Sequence, residues 1–180
     1  PWIIMTADQM FAFAASLGEN LDYEGYTVAL GADIDLSEKE WTPVGLSEYG
    51  FGGTFDGRNF TISNMHKGTA DEAVQLTQGE PYFALFSALE KTAVVKNVTL
   101  TDVLVNITYP ATTYVAGITG YMASISSDNY EGAVIDNCHV KGKITVVQEN
   151  GNVFLGGIAA YQYKGVVINC STDLELSGTV

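Results

Sequence analysis

Most of this chain reads as short alternations of apolar and polar residues, punctuated by glycine, asparagine and aspartate, the pattern of strands joined by tight turns. In Tyr26–Leu36 the residues Val28, Leu30, Ile34 and Leu36 point to one interior. The Asp56-Gly57 pair marks a turn, after which Phe60-Thr61-Ile62 resumes a strand. The best-defined later unit holds three strands, at about Ala133–Val140, Lys143–Gln148 and Val153–Tyr161. One segment has a different period. Thr6-Ala7-Asp8-Gln9 is a capping box, with Thr6 as N-cap and Gln9 at N3. Met10, Ala14 and Leu17 then share a helical face, and Gly18 stands as the stop. A short strand at Trp2–Met5 precedes this helix. The polar stretch His66–Pro81 reads as a loop with a helical turn near Asp71–Leu76.

The alternations recur. Asn64, Asn97, Asn137 and Asn169 sit in matching frames, Ile62-Ser63-Asn64-Met65, Val95-Lys96-Asn97-Val98, Ile135-Asp136-Asn137-Cys138 and Val167-Ile168-Asn169-Cys170, at spacings of 33, 40 and 32 residues. A second marker repeats as Ala84-Leu85-Phe86-Ser87, Ala116-Gly117-Ile118-Thr119 and Gly156-Gly157-Ile158-Ala159. Asn97 to Gly117 and Asn137 to Gly157 are both 20 residues, so the longer spacing comes from an eight-residue insertion at Ser124–Glu131. Such a repeat, about 32 residues long and rich in β-branched residues, predicts coils stacked on copies of themselves. The fold expected is an all-β solenoid, with residues 1–25 as strand and capping helix and 26–180 as the coils. Ile62, Val95, Ile135 and Val167 before the asparagines, and Met65, Val98, Cys138 and Cys170 after them, predict interior ladders with a bend between. The four asparagines are read as scaffold, each bonding its own backbone and its equivalents above and below.

Composition narrows the partners. Twenty-one acidic residues against eight basic give a net charge of −13, which opposes nucleic acid and anionic membranes. It also makes a strongly anionic polysaccharide a poor substrate unless a metal intervenes. No stretch approaches the roughly 20 apolar residues of a spanning helix, so no membrane insertion is expected. Cys138 and Cys170 occupy one column in neighbouring coils, where strands lie about 4.8 Å apart. Parallel Cβ directions would strain a bridge, so two buried free thiols are the reading and a disulfide the alternative. The chain begins at Pro1 and ends partway through a coil at Leu176–Val180, so further coils and additional domains of the same polypeptide are expected.

Several motifs resemble the GLUG-motif repeat proteins of bacterial surfaces. They are Asp33-Ile34-Asp35-Leu36-Ser37, Trp41-Thr42-Pro43-Val44-Gly45, Phe51-Gly52-Gly53-Thr54-Phe55-Asp56-Gly57 with Phe60-Thr61-Ile62-Ser63, Ala84-Leu85-Phe86, and the coils ending in Asn137-Cys138 and Asn169-Cys170. The resemblance runs from Thr6 onward. It implies a right-handed single-stranded parallel β-helix, secreted or held at the bacterial cell surface as a module of a larger protein. The usual glycine before Leu85-Phe86 is absent, so that coil is expected to be distorted. The repeat motif carries no catalytic residues, and none are transferred.

Candidate chemistry is sparse. Asp33 and Asp35 project to one face by the two-residue period. That pair suits glycoside hydrolysis or calcium, or else caps turns; Asp56 is the acid of an Asp-Gly turn. Cys138, His139 and Cys170 do not form a zinc site, because alternation turns Cys138 inward and His139 outward. No metal residue is assigned, and calcium is the one cofactor left open. His66 and His139 are placed in one column with Thr99 between, as solvated side chains. Lys96 and Asp136 share an outward column and read as a surface ion pair. Tyr121 and Tyr161 share a column at a 40-residue offset, with Leu89 in the earlier equivalent place, as wall packing or an outward aromatic stripe. Loops on a rigid scaffold carry recognition, so ligand binding is expected at Asp128, Asn129, Tyr130 and Glu131, whose aromatic and amide groups suit sugars. The function expected is a non-catalytic surface module for adhesion, binding a glycan or a host or bacterial surface protein. The alternatives are a polysaccharide-degrading lyase or glycoside hydrolase, which requires carboxylates and a base converging in one outer groove, and a structural stalk.

Overall fold

Strands whose side chains alternate between core and solvent need partners for their backbone edges and a cover for their inner face; here the edges pair with strands of neighbouring circuits, and the inner faces of the sheets share one core. The computed structural model describes residues 1–122, 132–148 and 150–179. Its strands form parallel sheets. The first stacks Trp2–Ile4, Thr27–Leu30, Thr54–Asp56, Val94–Lys96, Val134–Asp136 and Val166–Ile168. The second stacks Ile34–Asp35, Thr61–Ser63, Thr99–Thr108, His139–Val147 and Ser171–Thr179, with His66–Lys67 and Val74–Gln75 also paired to Thr99–Thr108. The third holds Tyr82–Phe83, Thr113–Ala116 and Val153–Gly156, and the fourth Phe86–Leu89, Thr119–Met122 and Ala159–Gln162. From Val94 onward the chain visits the four sheets in the same order on every circuit. A circuit thus has four strands rather than the three expected, because Asn137 and Gly157-Ile158 bend runs that look continuous in sequence. Gly142, which falls between the expected strands Ala133–Val140 and Lys143–Gln148, instead lies inside His139–Val147. Its φ of 148° lets it pass the backbone of Val103 beside a register shift between Leu100 and Val103.

The interior consists of columns. Val28, Phe55, Val95 and Ile135 are register partners and fully buried, as are Ile34, Ile62, Leu100 and Val140. One end is closed by the helix Ala7–Ser16, which buries Met10, Phe13 and Ala14. Thr6 Oγ1 accepts from Gln9 N (3.3 Å) while Gln9 Oε1 accepts from Met5 N (2.7 Å), so the capping box closes one residue earlier than its usual form. Gly18 is not a left-handed stop. Buried Leu17 turns the chain into extended conformation, and Gly18 exchanges backbone hydrogen bonds with Leu21 (3.2 and 3.0 Å). Phe13, Tyr23, Phe51, Phe55 and Phe86 form an aromatic cluster under the helix, with ring centroids 5.0 to 6.1 Å apart. Among the described residues no helix is long and apolar enough to cross a membrane.

The asparagine column differs from the expected one at its first member. Thr61 pairs with Thr99 and His66 with Leu104, which sets Asn64 level with Asp102 in the second sheet. Asn59 takes the place beside Asn97, to whose carbonyl its N–H donates (3.1 Å). Asn59, Asn97, Asn137 and Asn169 all have φ between 52° and 64°, the left-handed region that asparagine tolerates. The confusion in sequence has a physical source, since Asn64, just after Thr61–Ser63, and Asp102, at the register shift inside Thr99–Thr108, are also left-handed (φ 60° and 54°). The last three asparagines each tie their circuit to the one before. Asn97 Nδ2 donates to Asp56 Oδ1 (3.0 Å), Asn137 Nδ2 to Asn97 Oδ1 (2.9 Å) and Asn169 Nδ2 to Asp136 Oδ1 (2.8 Å). Asn64 does the same at its own corner, to Asp35 Oδ1 (2.9 Å). Both cysteines are free, Cys138 buried and Cys170 half-buried, and burial pushes the Cys138 thiol up to about 12.

Replacing Asn137 separates these roles. Asn137→Ala loses the side-chain bond and places a Cβ residue without a compensating amide at positive φ, a cost of about 2 kcal/mol. Asn137→Gly keeps the backbone conformation and loses only the side-chain contacts with Asn97 and His139, about 1 kcal/mol. Urea midpoints should therefore rank wild type, then glycine, then alanine; equal midpoints for both variants would remove the backbone argument.

Candidate ligand-binding wall

The acidic residues singled out in sequence are occupied by the backbone. Asp33 Oδ1 accepts from Thr61 N (2.7 Å), and Asp35 Oδ1 accepts from Ser37 N and Asn64 Nδ2 (both 2.9 Å). The Asn64 bond, with that from Ser37, holds the Asp35 carboxyl below its ordinary value. Asp56 Oδ1 accepts from Arg58 N (2.9 Å) and Asn97 Nδ2 (3.0 Å). Burial works to raise its carboxyl, but the bonds from Asn97 and Arg58 and the Lys96 charge outweigh it and the net direction is down. Lys96 pairs with Asp56 (3.7 Å), on the side of its strand opposite the expected partner Asp136, which receives Asn169. The histidines do not share a column either. His66 is level with Leu104, and His139 with Thr99 and Ser171. His139 contacts Ser171 Oγ (2.7 Å) and Asn137 Oδ1 (3.1 Å). Among the described residues no three His, Cys, Asp or Glu are grouped so as to hold a metal. Asp128, Asn129, Tyr130 and Glu131 lie outside the described residues, in the insertion that follows Met122.

Two surfaces remain. The first is an open cleft of about 390 Å³ beside the helix cap, lined by Glu19, Asp22, Glu24, Glu48, Glu90 and Lys91 among others. Glu19, Asp22, Glu24 and Glu48 all stand in solvent, and Asp22 Oδ1 caps Glu24 N (2.9 Å). An acid and base pair requires two environments that differ in desolvation or neighbouring charge. These exposed carboxylates share one.

The second surface is aromatic and was only half visible in sequence. In the third sheet Val115 points inward, so its neighbour Tyr114 points out; in the fourth, Met122 points inward and Tyr121 out. Register aligns Tyr82, Tyr114 and Phe154 in one column, and Tyr121 with Tyr161 in the next. Ala88, not Leu89, is level with Tyr121, while Leu89 is buried level with Met122. Ala88 puts no ring below Tyr121 in the fourth sheet, and Tyr82 from the third sheet stacks on Tyr121 instead. Tyr82, Tyr121 and Tyr161 consequently form one stack, with centroids 5.6 and 5.1 Å apart and interplanar angles of 18° and 1°. Tyr114 and Phe154 form a second stack (4.7 Å, 6°). The two meet edge to face, Tyr114 on Tyr161 at 5.8 Å and 86° and Phe154 on Tyr161 at 5.9 Å and 88°. Rings that leave the core on both sides of the Gly117-Ile118 bend and still touch define a concave wall. Tyr163, 60% exposed, lies near enough to Tyr121 to act on its phenol.

The concavity depends on Gly120. A Cβ there would come within 2.8 Å of Tyr82 Cβ and 2.9 Å of the Ser87 carbonyl. Burial, with the neighbouring phenols, pushes Tyr82 and Tyr121 above their ordinary value, so both hydroxyls stay protonated and can donate and accept hydrogen bonds. Sequence reasoning missed Tyr82, Tyr114 and Phe154, although their spacings of 32 and 40 residues repeat those of the asparagines. Compared with known proteins, this chain matches no family model, no curated protein and no solved structure. The wall's own chemistry is the basis for its role.

Gly120→Ala should lower stability by about 1 to 3 kcal/mol through overpacking and reduce the near-ultraviolet circular dichroism of the stacked rings. An unchanged spectrum would mean the rings do not rest on this residue. The phenols make a pH prediction. A folded-state value raised above about 10 favours the protonated form, so the associated stability is complete below that pH and is lost as pH rises through the folded value. Spectrophotometric titration should show Tyr82 and Tyr121 as a late-ionising fraction that moves to the ordinary range on unfolding.

Proposed function

We propose that this chain is a non-catalytic binding module, secreted or displayed on a bacterial surface, that engages its ligand on the aromatic wall. The observation that carries this reading is the wall itself: five stacked rings, half-buried, fixed on strands of two parallel sheets. Solvent-facing aromatics are costly to leave uncovered unless they meet a ligand, and rigid rings lose little entropy when they do. Hydrogen-bonded ties between circuits keep the spacing constant, which preorganises the surface. A right-handed single-stranded β-helix is the closed form we propose for the stacked sheets, in keeping with the resemblance to GLUG-repeat surface proteins.

A polysaccharide-degrading enzyme is the second reading, because the acidic cleft by the cap gathers five carboxylates and Lys91 in one groove. Its exposure argues against catalysis, since an open site neither excludes water nor separates an acid from a base. An array of polysaccharides and purified host and bacterial surface proteins distinguishes the two. The expected result is binding without shortened products, weakened at least about tenfold by Tyr114→Ala or Tyr121→Ala and unchanged by Glu48→Gln or Glu90→Gln. Shortened products that disappear with Glu90→Gln would establish the enzyme instead.

A further inference from the structure

We infer that Ser171 is a nucleophile activated by His139, and that it accepts an acyl group from neutral activated esters. This goes beyond the binding-module reading and does not depend on the aromatic wall. Three observations lead to it.

The first is a hydroxyl in contact with a base that is itself oriented. His139 and Ser171 are register partners on neighbouring circuits, and His139 Nδ1 lies 2.7 Å from Ser171 Oγ. The other ring nitrogen, Nε2, lies 3.1 Å from Asn137 Oδ1. A hydroxyl, an imidazole and a third group that orients the ring are the constellation that makes a serine reactive.

The second is polarity. Distance alone does not say which ring nitrogen carries the hydrogen, and here the asparagine ladder decides it. Asp56, held as a carboxylate, can only accept, so the Asn97 group that faces it (3.0 Å) is Nδ2. Asn97 Oδ1 is then turned to Asn137, which meets it with Nδ2 (2.9 Å); Asn59 Oδ1 lies 3.5 Å from that same nitrogen. Asn137 Oδ1 is left for His139, so in the neutral ring Nε2 carries the hydrogen. Nδ1 keeps its lone pair for the Ser171 hydroxyl. Asp56 thus fixes, through Asn97 and Asn137, the tautomer in which His139 can take a proton from Ser171.

The third is access. Ser171 is exposed at the start of Ser171–Thr179, on the edge of the second sheet. A hydroxyl in solvent selects donors by their reactivity rather than their shape. Asp173 follows on the same face by the two-residue period, and the chain carries −13. Anionic donors such as acyl phosphates are therefore repelled, and neutral esters are not. In the step, Ser171 Oγ attacks the ester carbonyl as His139 Nδ1 takes the hydroxyl proton. A new ester bond forms at Oγ and the bond to the leaving alcohol breaks. The proton then passes from His139 to the leaving oxygen or to water.

Incubating the full chain with p-nitrophenyl acetate, quenching in acid at early times and reading the peptides by mass spectrometry tests this step. Ser177 is the internal control, since it is exposed in the same strand but level with Thr145 rather than a histidine. Acetylation of Ser171 should outrun that of Ser177 at least about tenfold and fall to the Ser177 level in His139→Gln, because a positioned base contributes roughly 10²–10⁴-fold. Nitrogen NMR of labelled histidine should place the His139 hydrogen on Nε2, and Asn137→Gly should release the ring to a mixture of tautomers. Equal labelling of the two serines, labelling unchanged in His139→Gln, or a hydrogen on Nδ1 in the wild type overturns the inference. Continuous release of nitrophenolate that Ser171→Ala abolishes would support the acyl step and overturn the non-catalytic reading instead.

Discussion

Parallel, in-register stacking of each circuit on the one before it is the constraint from which the other features of this structure follow. Neighbouring strands are about 4.8 Å apart, so a side chain at one position meets the same position of the next circuit before it meets anything else. Apolar residues gain by this and become the buried columns headed by Val28, Phe55, Val95 and Ile135. Asparagine gains because its amide can donate upward and accept from below. Like charges would lose, and the outer columns alternate sign: Lys96 beside Asp56 (3.7 Å), Lys141 beside Asp173 (3.3 Å) and Lys143 beside Glu175 (2.8 Å). Exposed as they are, these pairs add little stability. Their consequence is to avoid the repulsion that stacking would otherwise impose.

Stacking also creates an end to be closed. At the end where Trp2–Ile4 stacks on Thr27–Leu30, the core is covered by the helix Ala7–Ser16. A helix cannot match the strand period, so contact there is made by adaptable aromatic rings. Phe13 stacks on Phe55 (5.8 Å, 16°) and meets Tyr23 and Phe51 edge-on. Trp41 fills the adjoining space and satisfies its indole N–H on the Ala84 carbonyl (3.1 Å). The cap thus replaces the regular columns by one irregular cluster of large rings.

The same rule explains why the wall combines scaffold and surface. Rings in outward columns stack for the reason apolar residues stack inside, and stacking gives the concave wall its stiffness. Because the contacts run along the stacking direction, the outer edges stay free. The wall's regularity and its openness are two results of one geometry.

The sequence by itself determined what depends on local conformation and on periodicity. Thr6 and Gln9 announced the helix start, Val28, Leu30, Ile34 and Leu36 the inward face, and Asn97, Asn137 and Asn169 the repeat, because each of these acts through its near neighbours or through identity at a fixed offset. It left open which left-handed residue belongs to which corner. Asn64 and Asn59 both suit positive φ, and only pairing with Thr99 and Leu104 assigns Asn64 to Asp102. Tertiary structure alone also decided the aromatic wall. Tyr82 joins the stack of Tyr121 and Tyr161 from a different sheet, where Ala88 supplies no ring level with Tyr121 and Gly120 adds no side chain against Tyr82. The direction of that ring depends on residues brought together from separate strands, and no local period encodes the place that it takes.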